Sequence, residues 1–208
     1  MKRFGRAKLV GLTLLPLACA AAAVVFLLQP LAYCPPSGAA LTPARRDFLR
    51  LKNRDAPPSP QDFDARVTLE ALSLAGEDRG RWSESRAGRV EGYVVEVVEG
   101  GVEAANCYSY RERDTHVHVA PRPGAPRTEW VVAEVTPRAR ERARARGQDW
   151  SAEALRRELV GRRCRVEGWL LFDREHAFES ENLAPGARGN WRATAWELHP
   201  VTALEVLR

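Results

Sequence analysis

Three β-branched segments follow one another before a long helix can start, and that order constrains the fold more than any other feature of the chain. RVEGYVVEVV (89–98) reads as a strand closed by Glu99-Gly100-Gly101. THVHVA (115–120) alternates strictly, which sets Val117 and Val119 on one face and His116 and His118 on the other. Pro121–Pro126 makes a turn, and TEWVVAEV (128–135) is the third strand. Thr136-Pro137 then has the form of a helix start, threonine as N-cap and proline in the first helical position, with Gly147 as the stop. A second helix is expected at SAEALRRELV (151–160), followed by strands in RCRVEGWLLF (163–172) and WRATAWELHPVTALEVL (191–207). Simple βαβ alternation is missing, which argues against a doubly wound parallel sheet.

Strand, strand, strand, helix, strand, strand over residues 88–208 resembles the OB-fold, a small five-stranded Greek-key barrel with its helix between the third and fourth strands. Gly92 and Gly168 interrupt the first and fourth strands, where a barrel strand must bend. The matching pieces Arg89-Val90-Glu91-Gly92-Tyr93 and Arg165-Val166-Glu167-Gly168-Trp169 strengthen the likeness. The expected class is mainly β with α, a five-stranded OB-like barrel over 65–208 with helices between strands three and four. Residues 65–87 fit either a strand or a helix. The resemblance implies a ligand held across strands two and three, between the connections 99–113 and 173–190.

The barrel is preceded by residues 9–31, which carry no charge over 23 positions and as a helix would span about 34 Å. Lys2, Arg3, Arg6 and Lys8 precede this run and no cation follows until Arg45, so the amino terminus stays in the cytoplasm and the rest is exported. Residues 1–34 are therefore read as a signal anchor at the inner membrane. The alternative is a cleaved signal peptide, which would leave the domain periplasmic or secreted. A lipid-attachment site at Cys19 fits less well, because Pro16 stands where an aliphatic residue is expected. Residues 35–64 hold six of the 14 prolines and read as a linker with at most a helical turn or two around Ala44–Lys52.

A nucleic-acid partner is compatible with the fold but gains no support from net charge. The chain has 32 basic and 27 acidic residues, but four of the basic ones precede residue 9 and no acid occurs before residue 35. That leaves 28 against 27 for the remainder. Ten arginines lie in 138–165, yet Arg138, Arg140, Arg142, Arg144 and Arg146 step by two and so spread around a helix as a solvated surface. In an exported domain Cys107 and Cys164 are the expected disulfide; the rival is a buried Cys164 thiol, since alternation groups it with Val166 and Leu170.

The two long connections, with the strand faces beside them, carry the candidate ligand-binding residues Tyr108, Tyr110, Trp130, His176, Asn182 and Trp191. All four histidines fall in this half of the chain, and Asp114, His116, His176 and His199 form a candidate set for a divalent metal. Glu175 or Glu197 would serve as base if a bound ion activated water. The alternative is that His116 and His118 face solvent while His199 hydrogen-bonds at a strand end. Asp114-Thr115 is similar to the Asp-Thr of thermonuclease-like barrels, but the arginine and glutamate motifs that should follow are missing, so that activity is not carried over. No nucleophile elbow, phosphate loop or dinucleotide fingerprint occurs. The expected function is a membrane-tethered binding domain for an oligonucleotide, oligosaccharide or protein. The alternatives are a metal-dependent hydrolase of the phosphodiesterase or nuclease type and a structural or interaction protein of the envelope.

Overall fold

A computed structural model describes residues 34–208. The anchor or signal segment at 1–33 lies outside the described residues, and no described helix is long and apolar enough to cross a membrane. In chain order the elements are α1 (Pro43–Lys52), α2 (Leu69–Ser73), β1 (Ala87–Glu99), β2 (Thr115–Ala120), β3 (Val131–Val135), α3 (Pro137–Ala145), α4 (Ala152–Leu159), β4 (Arg163–Phe172) and β5 (Trp196–Val206).

The strands close on one another in the order β1-β2-β3-β5-β4, a mixed barrel in which only β3 and β5 run parallel. Alternation fills its interior: Val90, Val94, Val117, Val119, Val131, Ala133, Val135, Val166, Leu170 and Leu198 form one buried cluster. Two glycines are needed where the wall bends. A Cβ at Gly92 would lie 2.7 Å from Val119 Cγ1, and one at Gly168 would lie 2.8 Å from the Pro200 carbonyl, beside register shifts in the β4–β5 ladder. Helices α3 and α4 stand between β3 and β4. Thr136 caps the first, its hydroxyl accepting from Ala139 N, and Ser151 caps the second through Ala154 N. The open stretch 65–87 resolves into the short α2 and a bridge from Phe63 to Ala87.

Three expectations need correction. Residues 35–64 are not a free spacer. Thr42 caps α1 and Pro43 opens it, and Phe48 and Leu49 bury themselves with Ala104, Ala105 and Leu171 on the outside of the barrel. The proline-rich composition concealed a helix of only ten residues whose apolar face is two side chains wide. The disulfide joins Cys34 to Cys107, and Cys164 is a free thiol. Cys164 points into the barrel and is fully buried; Cys107 belongs to the connection outside it, so the wall separates the two. Finally, of the five alternating arginines Arg144 and Arg146 are exposed as expected, but the other three are not simply solvated. Arg138 donates to the Cys34 carbonyl, Arg140 donates to the Arg113 carbonyl (2.6 Å) and to Thr115 Oγ1 (3.3 Å), and Arg142 pairs with Asp55. Together they fasten the N-terminal arm and the first connection to the barrel.

Candidate functional site

A barrel strand that points its apolar residues inward must point the alternate ones outward. In β2, β3 and β5 those are His116 and His118, Glu134, and Glu197 and His199. The parallel bridge Ala133↔Leu198 sets Glu134 beside His199, and the antiparallel pair His116↔Glu134 adds the third side chain. An outward face is normally wet, yet His199 and Glu197 have no exposed surface and Glu134 has 4%. Two layers cover them. Helix α1 brings Lys52, the one lysine beyond the first eight residues, whose Nζ meets Glu103 Oε2 at 2.8 Å. The connection 173–195 brings Arg192, which is 1% exposed.

Arg192 organises its side of the site. It donates to Asp173 Oδ2 at 2.9 Å, to the His176 carbonyl at 2.8 Å and to Glu197 Oε2 at 3.3 Å. Asp173 also accepts the backbone N–H groups of Glu175 and His176 and the His176 ring nitrogen at 2.9 Å. That hydrogen bond, against partial burial, holds the His176 imidazole up at about 9, so it stays charged through neutral pH. Further along the connection Asp78 accepts from Thr194 Oγ1 (2.8 Å), Ala195 N (2.9 Å) and Asn182 Nδ2 (2.9 Å).

On the other side, His199 Nδ1 lies 3.0 Å from Glu197 Oε1 and 3.1 Å from Glu134 Oε2, and its Nε2 faces Asp114 Oδ2 at 4.0 Å. Burial opposes a charge on His199, but Glu134 and Glu197 outweigh it and lift the imidazole to about 10. Burial, with Glu134 and Asp173 close by, raises Glu197 to about 7. Burial and Glu134 raise Asp114 to about 6. Glu134 itself, although buried, is held well below the usual carboxylate range by His116 and His199.

Above this floor opens a cleft of about 650 Å³. The first connection supplies Glu103 and Tyr108, the second supplies Asp173, Glu175, His176, Glu179 and Trp191, and His116 and Glu134 lie at the base. Cys107 and Tyr108 both adopt left-handed backbone, φ 52° and 56°, a conformation that non-glycine residues keep only when their surroundings hold them there. The disulfide and a Tyr108 N–H to Glu103 carbonyl bond of 2.8 Å do so, and they set the tyrosine at the rim. Trp191 lies against the His118 ring with centroids 5.6 Å apart and donates its indole N–H to Glu179.

Of the expected ligand-binding residues, Tyr108, His176 and Trp191 line this cleft. Tyr110 is exposed outside it, Asn182 is tied to Asp78, and Trp130 packs on His118 beside a separate shallow depression with its indole N–H on the Ala125 carbonyl. Of the expected metal set, Asp114 and His199 come together, but the third member is Glu134. His176 is committed to Asp173, and His116 instead pairs with Glu134 at 3.4 Å. Neither expected base is free for that role: Glu175 pairs with Arg45 at 2.7 Å, and Glu197 is enclosed between His199 and Arg192. Glu134, Arg192 and Lys52 were missed. The first has a legible signal, an acid set in the valine-rich run VVAEV, and Lys52 stands out as a lysine where the chain otherwise uses arginine. Arg192 has none, because its role depends on how the connection folds back. Comparison with protein-family models and with curated proteins finds no match.

Proposed function

We propose that the chain is an OB-like binding domain that works outside the cytoplasm, tethered to the membrane by its N-terminal apolar segment, and that it holds a glycan-like ligand in the cleft. Strand order 1-2-3-5-4 with the helices between strands three and four supports the OB-like reading. The uncharged run at 9–31 and the Cys34–Cys107 disulfide support export into an oxidising compartment. The observation that carries the ligand class is the lining of the cleft. Its acids Glu103, Glu134, Asp173, Glu175 and Glu179 stand against Arg45, Lys52 and Arg192 and two histidines, with Tyr108 and Trp191 as aromatic surfaces. A strand of nucleic acid needs a cationic track, and here Arg45, Lys52 and Arg192 are already paired with Glu175, Glu103 and Asp173. Hydroxyl groups of a sugar use donors and acceptors alike, and its apolar ring face suits an indole.

Tryptophan fluorescence of the full chain, titrated with a panel of envelope oligosaccharides and with single-stranded DNA and RNA, tests this. A saturable change is expected with at least one oligosaccharide, its affinity reduced about 5- to 150-fold in Trp191→Ala for a lost stack of ~1–3 kcal/mol. No response to any oligosaccharide, or saturation by nucleic acid alone, would overturn the reading.

A further inference from the structure

Directly beneath the cleft floor, three buried side chains point otherwise unused ligand atoms at one another. Asp114 Oδ1 is taken by the Asn106 amide at 3.0 Å, but its Oδ2 has no hydrogen-bond partner and is buried. His199 Nδ1 hydrogen-bonds Glu197 Oε1 at 3.0 Å, whereas its Nε2 and the nearby Glu134 Oε2 are buried without a hydrogen-bond partner. Ligand atoms from Asp114, Glu134 and His199 all lie within 4.8 Å of one another. Atoms bound to one tetrahedral ion at ~2.1 Å lie about 3.4 Å apart, so small side-chain rotations bring this set onto a common centre. We propose that Asp114, Glu134 and His199 bind a divalent transition-metal ion of the Zn²⁺ or Mn²⁺ class at the base of the cleft.

Three further observations converge on this. A histidine that ligates through one nitrogen and is oriented by a carboxylate on the other is the usual support for a bound ion, and Glu197 already occupies the orienting position. Charge balance also asks for it. With the His199 ring neutral, as a ligating imidazole must be, Asp114, Glu134, Asp173 and Glu197 face Lys52 and Arg192 as the enclosed cations, two positive charges short; without an ion the His199 proton makes up one of the two. Glu103 and His176, partly exposed, offset each other. One divalent ion supplies the missing two charges. Lastly, Glu134 belongs both to the set and to the cleft lining, so an ion reaches it from the cleft, and His116 Nε2, also buried without a hydrogen bond, lies 3.4 Å from Glu134 Oε1 as a further donor. Nitrogen with carboxylate oxygen suits Zn²⁺, Mn²⁺ or Fe²⁺ better than Mg²⁺, which favours oxygen alone.

This inference stands apart from the glycan reading, since ion uptake is measured with no sugar present. Titration calorimetry with Zn²⁺ on the full chain is expected to show one equivalent bound with a micromolar or tighter Kd. Asp114→Asn and His199→Gln should each weaken it by about 100-fold while near-ultraviolet dichroism stays native. Cys164→Ala, which removes the free thiol, should bind as the wild type does. Should either ligand variant fail to fold, Co²⁺ added to wild-type protein decides: its paramagnetism should broaden the His199 ring signals before those of His176. No uptake by wild type at about 1 mM Zn²⁺, unchanged affinity in folded ligand variants, or first broadening at His176 would each overturn the proposal.

Discussion

Arg192→Leu is expected to destabilise the protein by about 3–5 kcal/mol, because it removes the enclosed guanidinium that bridges Asp173 and Glu197 and leaves both carboxylates buried with only His176 and His199 beside them. For a folded unit of this size that lowers the melting temperature by roughly 8–15 °C. The leucine also abandons the His176 carbonyl, so the connection 173–195 should loosen before the barrel does. The pH dependence has a definite sign. Although burial works against its charge, Asp173 is held well below the ordinary carboxylate range by His176 and Arg192. Its contribution is therefore present above the unfolded value near 3.9 and is lost as pH falls through the lower folded one. In the variant the same carboxyl is buried with one partner fewer, so protonation relieves it. Thermal melts from pH 7 down to pH 3 should show the gap between wild type and variant narrowing steadily. A constant gap, or a loss under 1 kcal/mol at neutral pH, would mean that Arg192 is not enclosed as described.

Replacing Cys34 and Cys107 together by serine should cost about 4 kcal/mol. The bridge spans 73 residues of sequence, and closing a loop of that length removes ~4.4 kcal/mol of chain entropy from the unfolded state. Denaturant unfolding of oxidised and reduced wild type reads the same quantity without a substitution. The first consequence should be local. Helix α1 has a small apolar footing, Phe48 and Leu49 against Ala104, Ala105 and Leu171, and is otherwise held by polar ties such as Asn53 Nδ2 to the Ala105 carbonyl at 2.8 Å. Limited proteolysis should therefore cut between residues 35 and 60 in the reduced protein at a concentration of protease that spares the oxidised one. Cutting first within β1 or β4 would contradict this order.

The barrel was legible because its evidence is local. Two-residue alternation in THVHVA, the threonine-proline start of α3 and the glycines of β1 and β4 each state a conformation within a few residues. The lower part of the site was half legible. Asp114 and His199 could be named from their types, but Glu134 joins them through the parallel β3–β5 pair, a contact between strands more than sixty residues apart with two helices between. Residue type alone places His176 with the metal set, but its partner decides otherwise: Asp173, three residues earlier, takes the ring nitrogen. The arm 34–62 was least legible. Its role depends on the Cys34–Cys107 link and on one buried lysine, and neither leaves a periodic trace. Charge patterning misled at α3 for a related reason. Arginines at every second position do spread around a helix, but Arg138, Arg140 and Arg142 each find an anchor from a different segment.

The cleft has a second wall, and the carboxylates a cover, only if the connection 173–195 lies over the outward histidine face of β2. Nuclear Overhauser spectroscopy on the intact chain reads this at one pair of rings. Cross-peaks from the His118 ring to the Trp191 indole are expected, since the centroids are 5.6 Å apart. Those from His118 to Trp130, at 5.4 Å, serve as the internal standard. Peaks to both rings would agree with the walled cleft. A clear Trp130 peak with none to Trp191 would leave the face open and contradict it.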